Sequence, residues 1–182
     1  MPIRPDSLLR NGWVGEADGS LPPQSDTPAA ASQTIKRMDF LTLTSGTVQN
    51  AISLSGTSHP ASGADAGTGA LTIYGVAAGD ITTTGSVSDT DRVPVMRPTD
   101  ATLLYLPIYH DTAGSSEPQD LTIGSAYDLV RVQLASGIGV YAANAAVSDS
   151  DSELVYQGRM GINADEDYGF GIFKIKAANL VR

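Results

Sequence analysis

From Tyr127 to Ile175 the chain is written in short apolar runs separated by tight polar breaks, and that pattern limits it to β-structure. It reads Tyr-Asp-Leu-Val-Arg-Val-Gln-Leu, an Ala-Ser-Gly break, then Ile-Gly-Val-Tyr-Ala-Ala-Asn. A polar break at Ser148–Ser152 leads to Leu-Val-Tyr-Gln-Gly, an acidic turn at Asn163–Asp167, and Gly-Phe-Gly-Ile-Phe-Lys-Ile-Lys. Runs of this length, rich in β-branched and aromatic residues and bounded by Gly, Ser and Asp, are strands. The same alternation begins at Phe40-Leu-Thr-Leu-Thr and continues through Ala51-Ile-Ser-Leu-Ser, Ala70–Val76, Asp80–Thr84, Arg92–Met96 and Leu103–Tyr109. Pro94 and Pro107 interrupt two of these runs, which predicts edge strands or bulges there, because proline has no N–H for a ladder. The best helix candidate, Ala142–Val147, is about a turn and a half long. Neither heptads nor a fixed-period repeat is present, so a coiled-coil shaft and a solenoid are not expected. The expected fold is mainly β: a small antiparallel β-sandwich or barrel with long loops, including Gly56–Gly69 and Asp111–Asp120.

Residues 1–34 differ in character from the rest of the chain. Five of the ten prolines lie there (Pro2, Pro5, Pro22, Pro23 and Pro28), with Asn-Gly and Asp-Gly-Ser between them. Such a segment cannot enter a sheet interior or form a long helix. The expected division is an extended Pro-rich arm, 1–34, and a β-rich domain, 35–182. The arm carries the only tryptophan, Trp13, close to Leu8, Leu9 and Val14. An apolar cluster in a tail without its own core needs another surface to bury against. These four residues are the candidate contact site.

Charge narrows the partners. The formal net charge is -9, opposite to what neutralising phosphates requires, so neither nucleic acid nor an anionic membrane is an expected partner. Cysteine is absent, which excludes a disulfide scaffold, a thiolate metal site and cysteine catalysis. The N-terminus Met-Pro-Ile-Arg-Pro-Asp has no apolar h-region, and no run approaches the length of a membrane span. A soluble protein made in a cytoplasm is the expectation.

Each fragment of catalytic or binding chemistry has a plainer explanation. Gly137-Ile-Gly-Val-Tyr-Ala matches G-x-G-x-x-A, but that fingerprint needs a helix to follow and a βαβ unit around it. A hairpin glycine accounts for the same letters. Asp149-x-Asp151-x-Glu153, with Asp165-Glu166-Asp167, offers carboxylates for calcium, yet lacks the central glycine and terminal glutamate of an EF-hand loop. Solvated turns contain the same residues. Ser58, His59 and Asp65 sit in a Gly/Ala/Ser loop without the rigidity a catalytic triad needs, and His110 is far from His59 in sequence. Seven tyrosines in or beside the runs would suit a sugar platform, but Tyr is a favoured strand residue in any case. The expectation is a non-enzyme with no cofactor and no metal.

The order and wording of the last third, closing on an acidic turn and Gly-Phe-Gly-Ile-Phe-Lys-Ile, resemble tailed-phage capsid decoration (cement) proteins. Val93-Pro-Val-Met and the Pro-interrupted aromatic run after it are similar to the middle of such proteins. The resemblance covers roughly residues 90–176, and the arm agrees in character. It implies a structural virion protein, made in the host cytoplasm, on the outer capsid surface. It would bind the major capsid protein as a homotrimer or other homo-oligomer and reinforce contacts between capsomers. On this reading, deleting 1–34 leaves a folded body that no longer binds capsids. The alternative is a head-fibre or tail-associated host-recognition module that binds glycans. A head-completion or tail-tube component, forming rings, is a third possibility.

Overall fold

The structure, a computed structural model, describes residues 13–16, 20–53, 71–109, 121–133, 139–146, 151–159 and 169–181. It is mainly β. The strands in chain order are β1 (Trp13–Glu16), β2 (Gln24–Pro28), β3 (Thr34–Ile35), β4 (Phe40–Thr44), β5 (Thr47–Asn50), β6 (Gly75–Ala77) and β7 (Ile81–Thr82). They continue with β8 (Arg92–Met96), β9 (Thr102–Tyr109), β10 (Ala126–Gln133), β11 (Gly139–Asn144), β12 (Leu154–Arg159) and β13 (Phe170–Ile175). A 3-10 turn follows at Ala177–Asn179.

The C-terminal strands close on themselves. β9 pairs antiparallel with β13, β13 with β12, β12 with β10 and β10 with β11. β11 then returns to β9 in parallel, through Ala143↔Ile108 and Asn144↔Tyr109. The period-2 pattern turns Leu104, Leu106, Ile108, Leu129, Tyr141, Leu154, Tyr156, Phe173 and Ile175 into one core. Leu104, Ile108, Leu154 and Phe173 in it are wholly buried.

The second sheet runs in the order β2-β8-β6-β4-β5. Its outer strands meet where Ala29 bridges Val48 and the Ala30 N–H donates to the Val48 carbonyl at 2.9 Å. Ala29, Ile35, Leu41, Val48, Ala77, Val93 and Val95 fill the space it encloses. The short β3–β7 ribbon contributes Ile35 and Ile81 to that space. Phe40, Val76 and Met96 share the barrel's core instead, so one apolar interior joins the two bodies.

Two glycines are needed by this arrangement. The β4–β5 hairpin turns on Ser45-Gly46, both at positive φ (51° and 82°), the two-residue turn whose twist matches the strands. Gly75 sits where β6 passes β8. A Cβ there would collide with the Val95 side chain and lie 2.7 Å from the Met96 carbonyl oxygen. Gly75→Ala is therefore expected to destabilise the protein by about 1–3 kcal/mol through overpacking. A denaturation midpoint equal to wild type would contradict this.

Several expectations change. Pro94 and Pro107 lie in interior strands, not edges. The Pro94 carbonyl accepts from the Ala78 N–H at 2.8 Å, where the short β6–β8 ladder ends, so no donor is missed. Pro107 falls between two partners on one edge of β9: β1 pairs up to Tyr105, and β11 from Ile108 onward. Ala142–Asn144 is strand rather than helix, because its small side chains let β11 close against its neighbours with Ala142 and Ala143 fully buried. Of the strand expected at Ala51–Ser55, residues 51–53 are not strand and 54–55 lie outside the described residues; the strand here is Thr47–Asn50, because the Ser45-Gly46 turn sets its start.

The largest change concerns the arm. Gln24–Pro28 pairs with β8 from Gln24↔Met96 to Pro28↔Arg92, and Ala29 is fully buried. Pro22, Pro23 and Pro28 are compatible with this because β2 is an outer strand, where a missing N–H does little harm. The boundary expected at residue 34 therefore cuts through the second sheet.

Candidate functional site

The N-terminal segment and the junction it crosses are the places where this fold can meet or hold something. β1 pairs with β9 from Trp13↔Tyr105 to Glu16↔Thr102, and β2 pairs with β8. Residues 13–16 and 24–28 thus run antiparallel alongside β9 and β8, one in the barrel's sheet and the other in the second sheet. The Arg97 N–H donates to the Pro23 carbonyl at 2.7 Å between the two ladders. Of the four candidate contact residues, Trp13 and Val14 belong to β1, opposite Tyr105 and Leu104 in register. Leu8 and Leu9 lie outside the described residues.

Between the two bodies, charged and aromatic groups lock β10 and β11 to the segments flanking β4 and β5. Arg131, on β10, is 6% exposed and points into the junction. Its Nη1 donates to the Ile52 carbonyl at 3.0 Å and its Nη2 to Asp39 Oδ2 at 3.3 Å. Asp39, just before β4, also accepts from the Lys36 N–H at 2.9 Å. Tyr141, on β11, takes the Ile52 N–H on its hydroxyl at 3.0 Å. Its ring lies 5.3 Å from Phe40 and 5.4 Å from the Arg131 guanidinium carbon. Asp39 is 2% exposed. Loss of hydration raises its pKa from 3.8 to about 6, against the lowering influence of Arg131 and of the Lys36 N–H. Burial likewise pushes the Tyr141 hydroxyl far above its usual range, so it stays neutral.

A second buried carboxylate works similarly. Glu153 Oε1 accepts from the Leu71 N–H and Oε2 from the Leu129 N–H, each at 3.0 Å. Burial raises its pKa despite those bonds. The 71–73 segment is held from its other side by the C-terminus. Asn179 Nδ2 donates to the Leu71 carbonyl at 2.8 Å, and the Ile73 N–H donates to the Asn179 carbonyl at 2.6 Å. These groups orient and fasten; chemically they form a mechanical joint.

Among the described residues the other candidates are not assembled into a site. Asp149 and Asp165–Asp167 lie outside the described residues. Asp151 is exposed, and the Glu153 carboxylate is already occupied by two backbone donors. Among the described residues no group of three or more His, Cys, Asp and Glu could hold a metal ion. Ser58, His59, Asp65 and His110 also lie outside them. Gly139 and Tyr141 of the G-x-G-x-x-A match are in strand β11, with no helix start there. Tyr127, Tyr141 and Tyr156 are core residues rather than a sugar platform, with Tyr156 packed 5.4 Å from Phe173. Tyr105 and Phe170 stack at 4.7 Å and are half-buried. No described helix is long and apolar enough to cross a membrane.

Sequence reasoning missed the joint, although one signal was available. In Tyr127-Asp-Leu-Val-Arg-Val, Arg131 has the parity of Tyr127 and Leu129, both core residues. Parity alone turns it inward. Comparison with protein-family models, with curated proteins and with solved structures finds no match to this chain.

Proposed function

We propose that this protein is a structural virion component that binds the outer surface of a tailed-phage capsid and stabilises contacts between capsomers. It acts as a homotrimer or other homo-oligomer against the major capsid protein. The reading rests on the resemblance, and one structural observation supports it. The segments that carry the resemblance are far apart in sequence yet adjacent in space: β13 is hydrogen-bonded to β9 from Phe170↔Pro107 to Phe173↔Leu104. They form one wall, so the likeness follows a folded unit rather than scattered letters.

The mechanism is additive non-covalent clamping. Leu8, Leu9, Trp13 and Val14 bury apolar area on a capsid subunit or a neighbouring copy. One large aromatic contributes about 2–3 kcal/mol when buried, and repetition over a shell multiplies it. The test is co-sedimentation with expanded capsids lacking the protein. Saturation at a fixed number of copies per capsomer, with a raised disruption temperature, is the expected result. Absence of binding would sink the proposal and turn attention to host-cell glycans.

A further inference from the structure

The N-terminal band changes register where it passes between the two bodies. Partner numbers add to 118 along β1 (Trp13↔Tyr105) and to 120 along β2 (Gln24↔Met96). Seven residues, 17–23, join β1 to β2, whereas five, 97–101, join β8 to β9 beside them. The joining stretch is therefore two residues longer than the one beside it. It contains Asp18-Gly19 and Pro22-Pro23, and its Leu21 is 60% exposed. Fully extended, seven residues span about 25 Å.

β1 is only four residues long, and among the described strands it pairs with β9 alone. Its partner edge, Thr102–Tyr105, is the part of that side of β9 that β11 leaves uncovered, since β11 pairs only at Ile108 and Tyr109. When β1 opens, the β1-facing backbone groups of every second residue along this stretch of β9 become a template for a strand from elsewhere. The same four-residue strand of a second copy restores the same ladder in the same register. Opening a short terminal strand costs far less than global unfolding.

We propose that β1 is an exchangeable strand: where copies are crowded, Trp13–Glu16 of one copy leaves its own barrel and pairs with Thr102–Tyr105 of a neighbour. The exchange links copies through bonds each already makes internally. This goes beyond the capsid reading and does not depend on it.

The chain has no cysteine, so an introduced pair reports only on itself. Opposed strand residues lie within disulfide reach. Copies carrying Glu16→Cys are mixed with differently tagged copies carrying Thr102→Cys, then oxidised over a range of concentrations. The expected result is a disulfide between the two tags whose yield rises in proportion to concentration, as mass action requires. The Glu16→Cys/Thr102→Cys double variant also forms linked oligomers when concentrated. Disulfides confined within single chains at every concentration would overturn the proposal. If either substitution prevents folding, native mass spectrometry of the unmodified protein decides. Oligomers that vanish on deleting 1–16 support exchange, and oligomers that survive the deletion, or a monomer throughout, refute it.

Discussion

Deleting residues 1–34 abolishes cooperative folding of the second sheet, whereas deleting 1–19 leaves every strand of that sheet in place. The longer deletion removes β2, the buried Ala29 and the hydrogen bond from Ala30 to Val48 that brings the sheet's edges together. Val48, Val93 and Val95, all fully buried, then face water at about 1.5–3 kcal/mol each. Thr83 Oγ1 also loses the Ala30 carbonyl, to which it donates at 2.7 Å. Together these losses reach the whole net stability of an ordinary domain, about 5–15 kcal/mol. Circular dichroism melts of the two deletions check the prediction. A cooperative transition in the 1–34 deletion near the wild-type temperature would show that β2 is dispensable. The practical consequence is that a test of arm function must stop before Ser20, or loss of binding reports only loss of fold.

Replacing Arg131 with alanine destabilises the protein by about 3–5 kcal/mol at pH 8, because it strands a buried carboxylate. It also removes the donor to the Ile52 carbonyl and the cation over Tyr141. The loss depends on pH in a defined sense. Asp39 has its folded pKa raised from 3.8 to about 6. Its contribution to stability is therefore fully present below pH 3.8 and lost as pH rises through about 6, up to about 3 kcal/mol. Without Arg131, the largest influence holding that pKa down is gone, so the carboxyl stays protonated to higher pH. At pH 5 the acid is neutral in most molecules of either protein, and the variant loses mainly hydrogen bonding and packing. The gap between wild type and Arg131→Ala should be wider at pH 8 than at pH 5. Comparing the two proteins at each pH cancels the opposing contribution of Asp80, whose pKa is lowered chiefly by the Arg37 N–H and by Lys36. Urea midpoints at both values provide the measurement, and an equal gap would mean that Asp39 is not the group that matters. The double variant Arg131→Met/Asp39→Asn should recover much of the loss, since it leaves no unpaired charge.

The β class and the C-terminal strands were legible because their signals are local. β4, β8, β9, β10, β12 and β13 fall on the runs that alternation marks. What alternation could not show is which strands pair. Pro107 looked like an edge marker because a missing N–H is harmful only where a partner wants it. At this position two partners share one side of β9 and leave a gap between them. The alanines after Gly139 looked helical because their propensity favours helix, and barrel closure overrode that preference. The prolines of the N-terminal segment marked an outer strand as much as an arm, and composition does not separate the two. The Asp39–Arg131 pair spans 92 residues, so no window along the chain contains it. Parity pointed Arg131 inward; only the fold supplies its partner.

The pairing of residues 179–181 with Ile73 has a consequence for how the molecule is made. Asn179 and Val181 hold both backbone polar groups of Ile73, and Arg97 Nη2 donates to the Val181 carbonyl at 3.3 Å. A chain leaving the ribosome emerges N-terminus first, and its early parts begin to fold as they appear. The 71–73 segment, waiting between the two bodies, cannot find its last partner until residue 181 is free. The joint at Ile73 therefore forms only after the strands of both bodies have been made, since residues 179–181 follow all thirteen of them.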